Sequence, residues 1–339
     1  MESSPEEDSI NNKYHNLVKM GKGATSKVYL VEDKRDKKQY AAKVLKEGNT
    51  SFEKEIQIHI KISSLNNPFI INLIEYGEGP VKAPSKPKRN AQYEILEYAS
   101  KGTLYKYIYY PKKGFSERHA KLIFHKILKG VQAIHNAGIC HRDIKMENIL
   151  LDDKFDPKIC DFGYAAEIKG KDDSGKLDEF VGTRNYCAPE IHLNREYNGV
   201  KADIFSLGAS LFVLVVGNLG FSRARIDDKY YRCIMLKKSR DYWRFLIKDY
   251  GEYSEEIKNT IINMTEKLKN LYIKLISYSP ELRPSIEDIL KDPWMEEVTS
   301  LDDKGYSELE KEVYKEFEKR EIDLVNNNET ISSDGSSII

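Results

Sequence analysis

Eight residues, His141 to Asn148 in HRDIKMENILL, gather an imidazole, a guanidinium, a carboxylate, an ammonium and a carboxamide just ahead of an apolar run. Thirteen residues after Asn148, a further carboxylate follows in Asp161-Phe162-Gly163. Upstream, Lys43 lies inside the apolar run YAAKVL, where a lysine usually marks a solvated strand face. Here the next segment also offers Glu53 and Glu55, either of which could pair with the ammonium and hold it toward phosphates. Fifteen residues before Lys43 ends the turn G-K-G-A-T-S-K-V, with Gly21, Gly23, Ser26 and Val28. Glycines let backbone N–H groups close over phosphates without a Cβ in the way. Alone, the turn reads first as an ordinary hairpin. It gains weight from the ordered groups behind it.

The elements that must position these groups are legible in outline. From Tyr14 to Val44 the short runs LVKM, KVYLV and QYAAKVL, broken by the glycine turn and by EDKRDKK, predict an antiparallel β-meander. Residues 51–65 predict a helix with Phe52, Ile56, Ile60 and Leu65 on one side. The runs IINLIEY and AQYEILEY read as strands, and the Pro-rich, basic GEGPVKAPSKPKRN between them as a loop. From Ser116 to Trp294 the pattern is mainly helical. SELEKEVYKEFEKREIDLV continues it, and NNNETISSDGSS reads as a disordered end.

Composition excludes several classes. With 339 residues, 40% apolar and 32% charged, the chain is neither wholly disordered, nor fibrous, nor a membrane bundle. Its 54 basic and 54 acidic side chains cancel only in sum. Residues 1–13 hold four acids and one base, residues 296–339 hold thirteen acids and five bases, and the middle is left with +11. The start, MESSPEEDSINNK, has no basic and apolar leader pattern, and Glu2 excludes N-myristoylation. The apolar stretch from Leu207 to Gly217 is shorter than the roughly 20 residues of a spanning helix. Cys140, Cys160, Cys187 and Cys233 lack metal or disulfide spacing and read as buried thiols. The expectation is an intracellular, cytoplasmic monomer without nucleic-acid or membrane partners.

H-R-D-x-K-x-x-N followed by D-F-G at this spacing, with Lys43 and the glycine turn ahead, resembles the eukaryotic protein kinases. Gly182-Thr183-Arg184-Asn185-Tyr186-Cys187-Ala188-Pro189-Glu190 resembles the end of their activation segment. Asp203-Ile204-Phe205-Ser206-Leu207-Gly208 resembles their central helix, with Phe205 where Trp is usual. Arg283 resembles the partner of the Glu in A-P-E, here Glu190, and Trp294 in KDPWM resembles the last helix of their domain. The likeness spans about Tyr14 to Met295.

The resemblance implies an α+β, bilobal fold: an acidic disordered arm (1–13), a β-rich N-lobe with one helix (14–98), a mainly helical C-lobe (103–295) and an acidic tail (296–339). It implies transfer of the ATP γ-phosphoryl group to Ser or Thr of protein substrates, with Mg²⁺. Asp161 and Asn148 would hold metal, and Lys43, oriented by Glu55, would bind the α/β-phosphates. Asp143 would orient the substrate hydroxyl and Lys145 neutralise the γ-phosphate. The nucleotide would lie among Met20, Gly21, Lys22, Gly23, Ala24, Thr25, Ser26, Lys27, Val28, Ala41, Leu96, Glu97, Ala99 and Leu150. Lys145 and Thr183 resemble the serine/threonine class, and the pattern is most similar to the calcium/calmodulin-dependent-kinase-like group. Glu55 is preferred to Glu53 because E-I-x-I-H is similar to this helix in Polo-like kinases. The alternative from another class is a pseudokinase scaffold.

Two departures stand out. Glu179 occupies the place of a phosphorylated Thr, and Ala166 that of a base that would help hold its phosphate, so the loop is expected to order without phosphorylation; otherwise Glu179 faces solvent. His59 replaces an apolar residue that stacks toward Phe162. It reads first as a satisfied, partly buried histidine, and more sharply as the cause of an activity loss below about pH 6. Glu147 resembles a carboxylate that reads a substrate Arg, although Thr103 replaces a second acid after Gly102. No D-x-D-x-D-G calcium loop is present. In the tail, Leu309, Val313 and Phe317 recur every four residues. They suggest either a marginal, solvated helix or a segment folded back on the basic domain to brace it or block its cleft.

Overall fold

The structure, a computed structural model, describes residues 8–331 except 24, 49–51, 111 and 171, with side chains through residue 326. The sheet runs through β1 (Ser9–Ile10), β2 (Tyr14–Lys22), β3 (Ser26–Asp33), β4 (Gln39–Leu45), β5 (Leu73–Lys82) and β6 (Arg89–Glu97), all antiparallel. Their order, β1-β2-β3-β4-β6-β5, closes into a barrel because β1 pairs with both β2 and β5. Tyr14, Tyr29, Val31, Ala42, Val44, Val81, Tyr93 and Ile95 fill it, the inward set of each alternating strand.

Two expectations are corrected here. Ser9 and Ile10 are not part of a disordered arm but the strand that closes the barrel, with Ile10 fully buried. The expected long loop shrinks to six residues, because Gly77 to Lys82 and Arg89 to Asn90 continue the β5–β6 ladder. Gly79 makes room for the closure. A Cβ there would sit 3.1 Å from Asn11 Oδ1, and Asn11 donates its N–H to Pro80 O (2.8 Å) and its amide to Tyr93 OH (3.1 Å).

α1 (Phe52–Ser63) packs beside the barrel, but not on the expected stripe. Ile60 and Leu65 are exposed, whereas Phe52, Glu55, Ile56, Ile58, His59 and Ile62 are buried. Two polar residues, Glu55 and His59, therefore lie on the inward side. A hydrophobicity count steers away from them.

The second lobe holds α2 (Lys106–Tyr109), α3 (Glu117–Asn136), α4 (Pro189–His192), α5 (Gly199–Val216), α6 (Lys229–Met235), α7 (Ser239–Gly251), α8 (Glu255–Asn263), α9 (Glu266–Leu275), α10 (Ile286–Leu290), α11 (Glu296–Thr299) and α12 (Asp303–Ile331). Short strands β7 (Gly102–Thr103), β8 (Ile139–Cys140), β9 (Ile149–Leu151), β10 (Pro157–Ile159) and β11 (Ala166–Glu167) carry the chemical motifs between them. α5 starts eight residues before the apolar stretch read from the sequence and is long and apolar enough to cross a membrane, yet 89% of it is buried inside this lobe. It is the core helix around which the others pack.

The tail helix is not solvated. Leu309, Val313, Phe317 and Leu324 of α12 are buried against the domain. Phe317 stacks on Phe155 (5.3 Å between centroids, 3° between planes) and meets Phe115 and the edge of Tyr107. Arg320 is 4% exposed and lies 3.8 Å above the Phe115 ring, donating to the carbonyls of Tyr107, Lys113 and Gly114 at 2.7–2.8 Å. Among the described residues, five basic residues of the domain meet tail acids: Arg118 with Glu297 and Glu312, Lys121 with Glu297, Lys126 with Glu310, Lys101 with Glu321, and Lys267 with Glu296. Truncating an aromatic in such a contact typically costs about 3–5 kcal/mol. Phe317→Ala should lower unfolding stability by that order in a denaturant titration. An unchanged midpoint would mean that the helix detaches without cost.

Candidate active site

The strand register builds the site. Lys43 on β4 lies opposite Val28 of β3 on one side and Glu94 of β6 on the other. Its ammonium forms an ion pair with Glu55 of α1, and stands 3.3 Å from Asp161 Oδ1 and 3.8 Å from Glu94 Oε1. Burial opposes the charge on Lys43, but the fields of Glu94, Asp161 and Glu55 outweigh it and raise its pKa. For Asp161 burial pushes upward, and Lys43 and His141 overcome it, leaving the carboxyl below its usual value. Glu55 goes the other way: burial dominates and raises it despite Lys43. Of the two acids left open by the sequence, Glu55 is the partner.

The second cluster is equally specified. Asp143 Oδ1 accepts from the Thr183 N–H (2.7 Å), and Oδ2 accepts from Asn148 Nδ2 (3.0 Å) and stands 2.9 Å from Lys145 Nζ. Asn148 Nδ2 also donates to Asp143 O (2.9 Å), so its Oδ1 remains to face a cation. Lys145 Nζ donates to Thr183 Oγ1 at 2.6 Å. Gly182 permits this approach: its φ is +91°, and a Cβ would lie 2.4 Å from Arg142 O.

Arg142 holds the segment behind. It has φ +66° and is tied by its own N–H to Asp203 Oδ1 (2.8 Å), while the His141 N–H reaches Oδ2 (2.8 Å). Its guanidinium contacts Tyr164 O, Tyr197 OH and Glu179 Oε2 at 2.6, 3.1 and 2.9 Å. Glu179 therefore turns inward rather than to solvent. Arg283 forks onto Glu190 at 2.6 and 2.8 Å and lies over the Phe205 ring.

Between the lobes, Met20, Val28, Ala41, Leu96 and Leu150 are half-buried apolar residues, and Ala41 and Leu96 are direct cross-strand partners. Gly23 N–H donates to Ser26 O (3.0 Å), closing the glycine turn; Gly21, Lys22, Thr25 and Lys27 flank it, and Ala24 lies outside the described residues. The Glu97 N–H is used by Asn72 O (3.0 Å), and its carboxylate by Lys158. That leaves the Glu97 carbonyl and the Ala99 N–H as the hinge groups for a base edge. Among the described residues no cluster of three His, Cys, Asp or Glu side chains could form a protein-only metal cage. Asp161 and Asn148 Oδ1 fit a hard cation that takes its other ligands from phosphate and water.

Every catalytic residue expected from the sequence falls in one of these two clusters. The protein kinase domain signature matches residues 14–295. The chain belongs to the protein kinase family. Its similar proteins include rice CBL-interacting protein kinase 26 (34% identical over 279 residues, 81% of this chain and 50% of that protein). Rice serine/threonine-protein kinase SAPK2 is 31% identical over 287 residues (83% and 76%), and human NUAK family SNF1-like kinase 1 is 31% identical over 292 (85% and 39%). The chain thus spans half the length of the first of these relatives and three quarters of the second. This kinase is of the serine/threonine type, consistent with the calcium/calmodulin-dependent-kinase-like resemblance.

Sequence reasoning missed Glu94 and Tyr197. Glu94 had a signal: in AQYEILEY it alternates out of the Tyr93/Ile95 core face. His59 also has polar neighbours: it is 3% exposed and tilted on Phe162 (4.9 Å), with its Nδ1 3.4 Å from Glu94 Oε2. Lys43→Met should lower kcat/KM for ATP by about a hundredfold or more, since the loss of a preorganised charge is typically of that size. Undiminished turnover by this variant would remove Lys43 from the phosphate site.

Proposed function

We propose that this kinase transfers the γ-phosphoryl group of ATP, with Mg²⁺, to Ser or Thr hydroxyls of proteins, and that its activation segment is held by Glu179 in place of a phosphate. The observation that carries the reading is the Asp143 cluster: a carboxylate aimed by Thr183 N–H and Asn148 Nδ2, with the Lys145 ammonium beside it. Phosphoryl transfer demands positioning and charge neutralisation more than covalent help. Asp143 accepts a hydrogen bond from the incoming hydroxyl and sets it in line. Lys145 faces the charge that develops on the transferred group, and Lys43, kept in place by Glu55, meets the α/β-phosphates. Asp161 and Asn148 would hold the metal, which would supply neutralisation of phosphate charge.

The pseudokinase alternative is not favoured, because Lys43, Glu55, Asp143, Asn148 and Asp161 are all present and mutually placed. Glu147 supports a preference for a basic residue in the substrate. Burial pushes its carboxyl up, and among the described residues Oε2 has no hydrogen-bond partner, so a bound guanidinium would relieve both.

Turnover of a peptide library by the purified chain with Mg-ATP tests the activity, and Asp143→Asn should abolish most of it. Equal turnover by that variant would overturn the mechanism. Phosphatase treatment of the wild type should leave activity intact. Glu179→Ala should lower kcat about tenfold, equivalent to roughly 1.4 kcal/mol. Loss of most activity on phosphatase treatment alone would show that a phosphate, not Glu179, orders the segment.

A further inference from the structure

Lys43 meets more negative charge than its task requires. Besides Glu55 and Asp161, it faces Glu94, its direct cross-strand neighbour, whose Oε1 stands 3.8 Å from Nζ and has no hydrogen-bond partner. Glu94 is 1% exposed, so its carboxylate cannot turn to water. Three carboxylates around one ammonium compete for it, and only the pairing with Glu55 ties α1 to β4.

His59 answers that competition. It lies one turn after Glu55 on the inward stripe of α1, 3% exposed. Its Nε2 is 3.0 Å from Ile71 O, and its Nδ1 is 3.4 Å from Glu94 Oε2. A carbonyl only accepts, so Nε2 carries a hydrogen. The hydrogen bond between Nδ1 and Oε2 then joins His59 to Glu94. The other charged groups around it are Lys43 on β4, Glu55 on α1 and Asp161, with His141 against the Phe162 ring on which His59 is tilted.

We propose that His59 is a positioning residue: by holding Glu94 through that hydrogen bond, it keeps this carboxylate from competing with Glu55 for the Lys43 ammonium. The inference rests on the phosphate-binding role of Lys43. Without His59, Glu94 is a buried carboxylate whose nearest cation is Lys43, and the ammonium swings from α1 toward β6. Without Glu94 the competitor that His59 restrains is gone, and His59 becomes dispensable. A purely structural pair would behave differently: each single loss would cost stability, and neither would move nucleotide affinity selectively.

The test compares wild type, His59→Leu, Glu94→Leu, the double variant and His59→Gln. Displacement of a fluorescent nucleotide by Mg-ATP gives affinity, peptide phosphorylation gives kcat and both KM values, and thermal melting controls for folding. His59→Leu should lose about thirtyfold in kcat/KM for ATP, corresponding to roughly 2 kcal/mol, with the peptide KM unchanged. Glu94→Leu should stay within about threefold of wild type. The double variant should recover to within about fivefold, and His59→Gln, which still offers Glu94 an N–H, should keep at least about a third of activity. A double variant no better than His59→Leu, a His59→Leu as competent as wild type, or losses that only follow the melting temperature would overturn the proposal. If the wild type binds ATP but turns nothing over, the catalytic reading fails, and the order of the affinities still decides this one.

Discussion

A buried ammonium must be neutralised, and the site follows from how Lys43 is. A lone charge at that depth would cost several kcal/mol, so carboxylates have to converge on it from elements far apart in sequence. Glu55 comes from α1 and Asp161 from the turn after β10, while Glu94 of β6 stands farther off at 3.8 Å. Each brings its element along. The helix is fixed against the barrel, and the D-F-G turn of one lobe is brought within 3.3 Å of the other. Breaking the Glu55 pair would therefore dismantle a geometry, not remove a single contact.

The same logic runs through the second lobe, where backbone strain replaces buried charge. Arg142 and Asp161 both have positive φ, a conformation costing non-glycine residues of order 1–3 kcal/mol. Asp203, fully buried, accepts the N–H groups of both His141 and Arg142 and so holds the strained turn from behind. The turn sends Asp143 forward to the reaction centre and the Arg142 guanidinium back to Glu179. A charge on the activation segment is thereby connected, through one residue, to the orientation of the catalytic carboxylate.

The catalytic clusters were legible in the sequence because phosphate and metal chemistry restrict residue types and spacing so tightly that Lys43, Asp143, Lys145, Asn148 and Asp161 stand out without any structure. The α1 stripe was not. Periodicity counts apolar residues, and the side of α1 that faces the site carries Glu55 and His59, polar because of what they touch. β1 was hidden for another reason. Two residues have no periodicity, and Ser9 and Ile10 become a strand only because β2 and β5 leave edges to pair with. Glu94 escaped notice because its meaning depends on register: opposite Lys43 it is a competitor for an ammonium, and one residue to either side it would face the barrel core.

The partition of charge between a basic body and an acidic tail raises the question of what holds α12 in place. Arg118, with a side chain 45% exposed, pairs with Glu297 and Glu312, whose own side chains are 39% and 48% exposed, and such ion pairs contribute about 0–1 kcal/mol each. They cannot account for a helix that stays docked. Phe317 and Arg320 can. The ring fills a slot between Phe155, Phe115 and Tyr107, and the buried guanidinium satisfies three carbonyls that would otherwise lack donors. The acids then have a different task. Lys101 and Lys126 lie on the surface α12 covers; Glu321 pairs with Lys101, and Glu310 joins Asp156 at Lys126, so neither ammonium is covered unpaired. Among the described residues, the hydrogen bonds and ion pairs of α12 do not reach Asp143, Asp161 or the glycine turn, whereas Glu321 meets Lys101 beside the hinge. α12 is thus packed on the side of the hinge away from these groups, against Tyr107, Phe115 and Phe155.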